Sequence, residues 1–299
     1  MNTQGISQNY IIIIATAIIM GTISRIMTLK EDYRQYPSYP NGYFTHLVLG
    51  VIAASIGSVA IPALLAQNFT AVTFLTIAIQ QFRDVRKTEI SSLKSLENTE
   101  FTIRGDAYID GIAKTFESRN YIGLTVSFIT SLSMILSKNL PIIYRILIGI
   151  SVGSFIYIII RNFTKGKLLQ EIADVKIAQI EVRESELYVD NIYVTNTLGT
   201  INSRTIVEKE GIAAVITPKS QHFRITLDNY GQRQAILFEA CRALGVKRYQ
   251  FTRKEYESGK VIIALVPIIR DEDFFIKVIK ETPLLENVRK SHRLIKDKS

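Results

Sequence analysis

From Gln35 to Phe82 the chain runs for 48 residues without an Asp, Glu, Lys or Arg. About a quarter of the residues in a soluble domain are charged, so ordinary burial does not account for a gap of that length. A bilayer does. Its hydrocarbon core takes about 20 apolar residues per helical crossing, and this stretch holds two crossings and a short turn. The first half of the chain therefore reads as membrane-embedded, with the lipid bilayer as its first expected partner.

Charge divides the chain in two. Residues 1–160 carry 12 Lys or Arg and 9 Asp or Glu, while residues 161–299 carry 24 and 18. The reading is a transmembrane bundle over 1–160 followed by a soluble α+β domain over 161–299, long enough to bury its own core. The second half has a net charge of +6. Directly after a membrane span, attraction to an anionic leaflet is the simplest account of it, and no nucleic acid is expected. Cys241 is the only cysteine, which excludes an intramolecular disulfide and a multi-cysteine zinc site. Beside Ala240 and Leu244 it reads as a small buried hydrophobe. No metal and no cofactor is expected, because no ligand set or nucleotide-binding motif stands out. Met1–Ser24 lacks a basic n-region and an A-x-A-like site, so a cleavable signal is not expected.

The apolar pattern gives about five transmembrane helices: Tyr10–Leu29, Phe44–Ala66, Phe69–Phe82, and the pair Tyr121–Leu136 and Leu140–Ile160 turned at Ser137–Asn139. The third segment is short enough to be a re-entrant or interfacial helix instead. Basic residues favour the cytoplasmic side. The 83–120 loop holds seven Lys or Arg, and 161–176 adds Arg161, Lys165, Lys167 and Lys176. Five crossings with the N-terminus outside and the C-terminal domain cytoplasmic satisfy every loop. Gly50, Ala54 and Ser58 recur every four residues on the second span, and Gly149 and Gly153 do so on the fifth. Such spacing packs helices closely, either within the bundle or in a homo-oligomer through Gly149 and Gly153. Arg25, His46 and Arg145 lie near span ends, where they are expected to snorkel to headgroups. No ionisable residue lies near the midplane, which counts against a channel or transporter.

In the second half, Lys176–Val194 alternates apolar and polar residues as a β-hairpin does. Gly211–Ile216 and Phe223–Leu227 read as strands, Gln232–Leu244 as a helix stopped by Gly245, and Val261–Ile269 as a central strand. Asp271-Glu272-Asp273 opens a last helix through Lys280, with acids at its positive end. The tail Arg289–Ser299 reads as a solvated end. No P-loop, G-x-S-x-G or H-E-x-x-H motif occurs.

The loop 83–120 contains the segment Arg104–Arg119, which reads as a helix leading into span four. Asp106, Asp110 and Lys114 lie at i, i+4 and i+8 on one face. Tyr108, Ile109, Ile112, Ala113 and Phe116 form the opposite, apolar face. Gly111 in mid-helix costs about 1 kcal/mol against Ala, so close backbone approach is expected there. Asp106 and Asp110 are the candidate catalytic pair, since two carboxylates one turn apart can share a proton in hydrolysis. The alternative is a solvated acidic stripe paired with Lys114.

Tyr108-Ile109-Asp110-Gly111-Ile112-Ala113 resembles the signature of the YIEGIA family, with Asp110 where the family name has Glu. Chain length, the hydrophobic first half and the α+β second half agree with that family along the whole chain. The resemblance implies a membrane protein of spore-forming Firmicutes, associated with sporulation and with a small "capping" partner protein. The six signature residues are then the candidate partner-binding site, and the cell membrane, including a forespore or spore membrane, is the expected location. Asp for Glu keeps the carboxylate but shortens it by one methylene, which favours docking over strict catalytic geometry. Two readings stay open. One is a regulator or scaffold that binds a small soluble protein; the other is a membrane-embedded protease regulated by that partner.

Overall fold

The computed structural model describes residues 8–32, 40–164 and 166–285. They fall into two units. One draws on Met1–Ile90 and Ile112–Lys165, the other on Ser91–Gly111 and Gly166–Ser299. The second unit therefore recruits a segment from the expected 83–120 loop. Most of that loop is helix, leaving only a short connection at 98–105.

The first unit is all α. Its helices are α1 (Gln8–Asp32), α2 (Pro40–Leu65), α3 (Phe69–Glu97), α4 (Asp106–Leu136) and α5 (Ile142–Thr164), with the far ends of α3 and α4 belonging to the second unit. Three are long and apolar enough to cross a membrane, over Asn9–Thr28, His46–Leu65 and Ile142–Asn162. α3 and α4 are longer than the apolar segments inside them: each joins an apolar half to a charged one.

Side chains fix the directions of these helices. Arg25 near the end of α1 donates through Nε to Asn120 Oδ1 of α4 at 3.2 Å and through Nη1 to Thr28 Oγ1 at 3.2 Å. A methyl group on Gly50, near the start of α2, would meet the Arg25 side chain. Further along, Ser131 of α4 donates to the Ser58 carbonyl of α2 at 3.0 Å. α2 and α4 thus run parallel. Ala53 and Ile56 of α2 share a cluster with Leu75, Ala78 and Ile79 of α3 and Tyr121 and Leu124 of α4.

Small residues make this approach close. A Cβ on Gly57 would overlap the Leu124 carbonyl oxygen, and one on Gly149 would lie 2.7 Å from Met134 Cγ. Gly153 abuts Thr130 in the same way. Gly149 and Gly153 are therefore occupied by the chain's own α4. The expected snorkelling is corrected: Arg25 (0% exposed), His46 (8%) and Arg145 (7%) are buried. The two arginines find partners inside: Arg25 bonds Asn120 and Thr28, and Arg145 Nε donates to the Met134 carbonyl at 2.9 Å.

The second unit holds the α+β fold. Strands β1 (Ala173–Ala178), β5 (Ile212–Pro218), β7 (Val261–Leu265) and β6 (Gln250–Lys254) form an antiparallel sheet in the order β1-β5-β7-β6. A meander of β2 (Ile180–Arg183), β3 (Glu186–Val189) and β4 (Ile192–Thr195) forms a second sheet. Asp190 and Asn191 both take positive φ (47° and 63°), which suits the tight two-residue turn from β3 to β4. The remaining helices are α6 (Ile201–Glu210), α7 (Gln221–Asp228), α8 (Tyr230–Leu244) and α9 (Glu272–Lys280).

Strands β5 and β7 are buried on both faces. One face packs on α8 and α9 through Ile212, Ala214, Val261, Ile263, Ile236 and Phe275. The other packs on the meander and α6 through Ala213, Ile262, Leu187, Val189 and Val207. Several expectations hold: the strand expected over Val261–Ile269 is central, though it stops at Leu265, Gly245 (φ 68°) follows α8, and acids open α9, where Asp271 also accepts from the Phe274 amide at 2.8 Å. Others need correction. Phe223–Leu227 is helical, because Phe223 and Leu227 face the core at i, i+4 while Ile225 stays 49% exposed. Lys176–Val194 is not one hairpin: β1 pairs with β5, leaving β2, β3 and β4 as the meander. The tail Arg289–Ser299 lies outside the described residues.

Candidate functional site

The site is built where α3 turns into α4. Gly105 takes φ +84°, a conformation L side chains rarely adopt, and donates its amide to Glu97 Oε1 at 2.8 Å. Its carbonyl then accepts from the Tyr108 and Ile109 amides at 3.1 Å, starting α4. The signature follows within the first turns.

Most of the signature is buried. Tyr108 is 3% exposed, Ile109 0%, Ile112 2% and Ala113 0%, so the apolar face read from the sequence is an interior face. The side chain of Phe116 lies outside those described. The Tyr108 hydroxyl donates to Glu239 of α8, and its ring meets Phe238 edge-on with centroids 6.1 Å apart. Glu239 also accepts from Arg242 at 2.7 Å. Burial, reinforced by the Glu239 charge, pushes the Tyr108 phenol well above its ordinary range, so it remains a donor at any physiological pH.

The connection ahead of α4 is fastened to the same helix. Gln234 Nε2 of α8 donates to the Ile103 carbonyl at 2.6 Å. The Arg104 guanidinium stacks on Phe238 at 4.9 Å and donates to Glu100 at 3.0 Å. Thr102 donates to Gln250 of β6, which also accepts from Cys241 Sγ at 3.0 Å. Burial pushes the Cys241 thiol up to about 11, with Thr102 partly offsetting it, so the lone cysteine is unreactive in the folded chain.

The candidate acids sit differently. The Asp106 side chain is 80% exposed and pairs with Lys94 of α3 at 2.8 Å, not with Lys114. That contact raises the Lys94 amine above its ordinary value, chiefly through the hydrogen bond. Asp110, one turn on, is half-buried. Among the described residues no three His, Cys, Asp or Glu side chains cluster to hold a metal. The expected close approach at Gly111 is also corrected: among the described residues an added Cβ would meet Leu285 Cδ2 at 3.8 Å, an ordinary contact.

A family model described as YIEGIA protein matches residues 13–294. The chain belongs to the YIEGIA family. A relative matches along the whole length: the Bacillus subtilis (strain 168) protein named "Uncharacterized protein YphB" is 36% identical over 286 residues, covering 93% of this chain and 94% of its own. No solved structure matches the chain. Within the YIEGIA signature, Tyr108 and Ile109 are therefore parts of the α+β unit's own fold. Sequence reasoning missed Phe238 and Glu239 of α8, which hold Tyr108, and Gln234 of α8 and Gln250 of β6, which hold Ile103 and Thr102. For the residues on α8 the available signal was polar side chains inside its apolar run.

Proposed function

We propose that this chain is a multi-pass membrane protein of sporulation that acts as a regulator or scaffold and binds a small soluble protein partner. The observation that carries this reading is the contrast within the first turn of α4. Tyr108 and Ile109 are held inside the fold, while Asp106 points into solvent and pairs with Lys94. A carboxyl kept protonated for acid catalysis is shielded from water, and the Asp106 side chain is not. An acid so exposed is better suited to contact another protein. The protease reading keeps one support, the half-buried Asp110 one turn away.

The parallel run of α2 and α4 supports five crossings. Between parallel neighbours the chain must return, and α3 is the segment that returns. The N-terminus is then outside and residues 161–299 are cytoplasmic, in the cell membrane or a forespore or spore membrane. The interlocked glycines at α2–α4 and α4–α5 leave no room there for a water-filled path, which weighs against a channel.

Asp110→Asn and Asp110→Glu test the role of the signature acid, scored by sporulation and by the abundance of candidate target proteins. A docking carboxylate keeps an acceptor oxygen as Asn, so the loss is partial, about 1–3 kcal/mol. Glu restores the residue in the family name and is tolerated. Complete loss with Asn at normal protein level, together with an accumulating target, would mean a protease.

A further inference from the structure

The α3–α4 connection is inverted in polarity. Over residues 101–104 alternate side chains face opposite ways. Thr102 (4% exposed) and Arg104 (5%) face the fold, while Phe101 (61%) and Ile103 (55%) face solvent. Leu96, on the last turn of α3, adds a third exposed apolar side chain at 38%. Polar residues inside and apolar residues outside is the reverse of what folding alone favours. The inversion is also held in place: Gln234 grips the Ile103 carbonyl, Gln250 accepts from Thr102, and Phe238 stacks under Arg104. Phe101 and Ile103 are thus presented in a preordered arrangement, which lowers the entropy cost of covering them.

Charge indicates what covers them. Within Ser91–Gly111, Lys94 and Arg104 face Glu97, Glu100, Asp106 and Asp110, a net negative segment in a chain of net charge +9. An anionic leaflet repels such a segment. A protein whose apolar pocket is rimmed by Lys or Arg complements it. We infer that the outward face formed by Leu96, Phe101 and Ile103 is the docking surface for a protein partner of that chemistry, with Gln234, Gln250 and Phe238 holding the connection in place. The inference rests on the partner-binding reading above and says where that partner sits.

The test uses the full chain in native membranes with a photoreactive benzoylphenylalanine at position 101. Irradiation should give an adduct with one small protein, identified by mass. That protein, once purified, should bind the wild-type chain in nanodiscs about tenfold or more tightly than a Phe101→Ser, Ile103→Ser double variant, and more weakly as salt rises. Cys241 should stay protected from maleimide in the variant, showing an intact fold. No adduct, an adduct with lipid only, or one with a second copy overturns the inference. A partner that binds wild type and variant equally overturns this surface but leaves the proposed function standing. Normal sporulation after deletion of the gene sinks the function while leaving a measured loss of binding intact.

Discussion

Tyr108 is clamped by Glu239 and Phe238, and replacing it by Phe removes one oxygen from the centre of that clamp and little else. Glu239 then loses a donor while its side chain stays largely buried, at 13% exposed. A buried acceptor left without its partner costs about 1–3 kcal/mol. Arg242 remains at 2.7 Å, so the lower part of that range applies, about 1–2 kcal/mol. For a unit of this size that shifts the unfolding midpoint down by about 2–8 °C. Cys241, buried and unique in the chain, supplies the assay: purified protein is heated with a thiol-reactive fluorophore and the rise in signal reports opening of the α+β unit. Tyr108→Ala also loses the ring against Phe238 and should cost about 3–5 kcal/mol. In a double-mutant cycle with Glu239→Gln, about 1 kcal/mol should be shared by the two sites. A Tyr108→Phe midpoint within about 1 °C of wild type would refute the clamp as an energetic unit.

Two glycines give opposite expectations. Gly57→Ala drives a methyl group into the Leu124 carbonyl and should cost about 1–3 kcal/mol, read as a lower midpoint in detergent. Gly111→Ala meets only an ordinary contact and should leave stability equal or raise it by up to about 1 kcal/mol. The folded Cys241 thiol holds its proton up to about 11 against an ordinary 9.0. Its contribution is therefore complete below about pH 9 and is lost as pH rises from there toward 11, on the order of 2–3 kcal/mol. Circular dichroism melts should show that decline to be shallower in Cys241→Ala. Reporters fused at Ser299 and within 83–120 should read as cytoplasmic and one at Asn2 as outside; a cytoplasmic Asn2 would mean that α3 does not cross.

Local chemistry was legible where one signal dominated. The apolar run Val261–Ile269, the stop at Gly245 and the acids Asp271–Asp273 at a helix start each have a single physical reading, and each is found, with the strand ending at Leu265. Phe223–Leu227 was not legible, because Phe, Ile and Leu at i, i+2 and i+4 satisfy a strand while the i, i+4 pair alone satisfies a helix. α6 was missed because Ser203 and Val207 are its only buried residues, too few to set a period. Arg25 and Arg145 were misjudged because a guanidinium near a span end can face headgroups or interior carbonyls, and the partner decides. The site was half legible. The helix and apolar face of the signature could be read from spacing, but Tyr108 and Glu239 meet across 131 residues, and no local pattern encodes that.

That separation also bears on how the molecule is made. The α+β unit is assembled from pieces synthesised apart, with the rest of α4 and all of α5 between them. At about 5–20 residues per second, Tyr108 waits about 7–26 s for Glu239 to leave the ribosome. If α4 and α5 both cross the bilayer, as the five-crossing proposal has it, both must be threaded during that wait. If one of the two failed to cross, the two pieces of the unit would end on opposite sides of the membrane. Closure of the unit would then act as a quality check on insertion, with misthreaded chains left open to proteolysis.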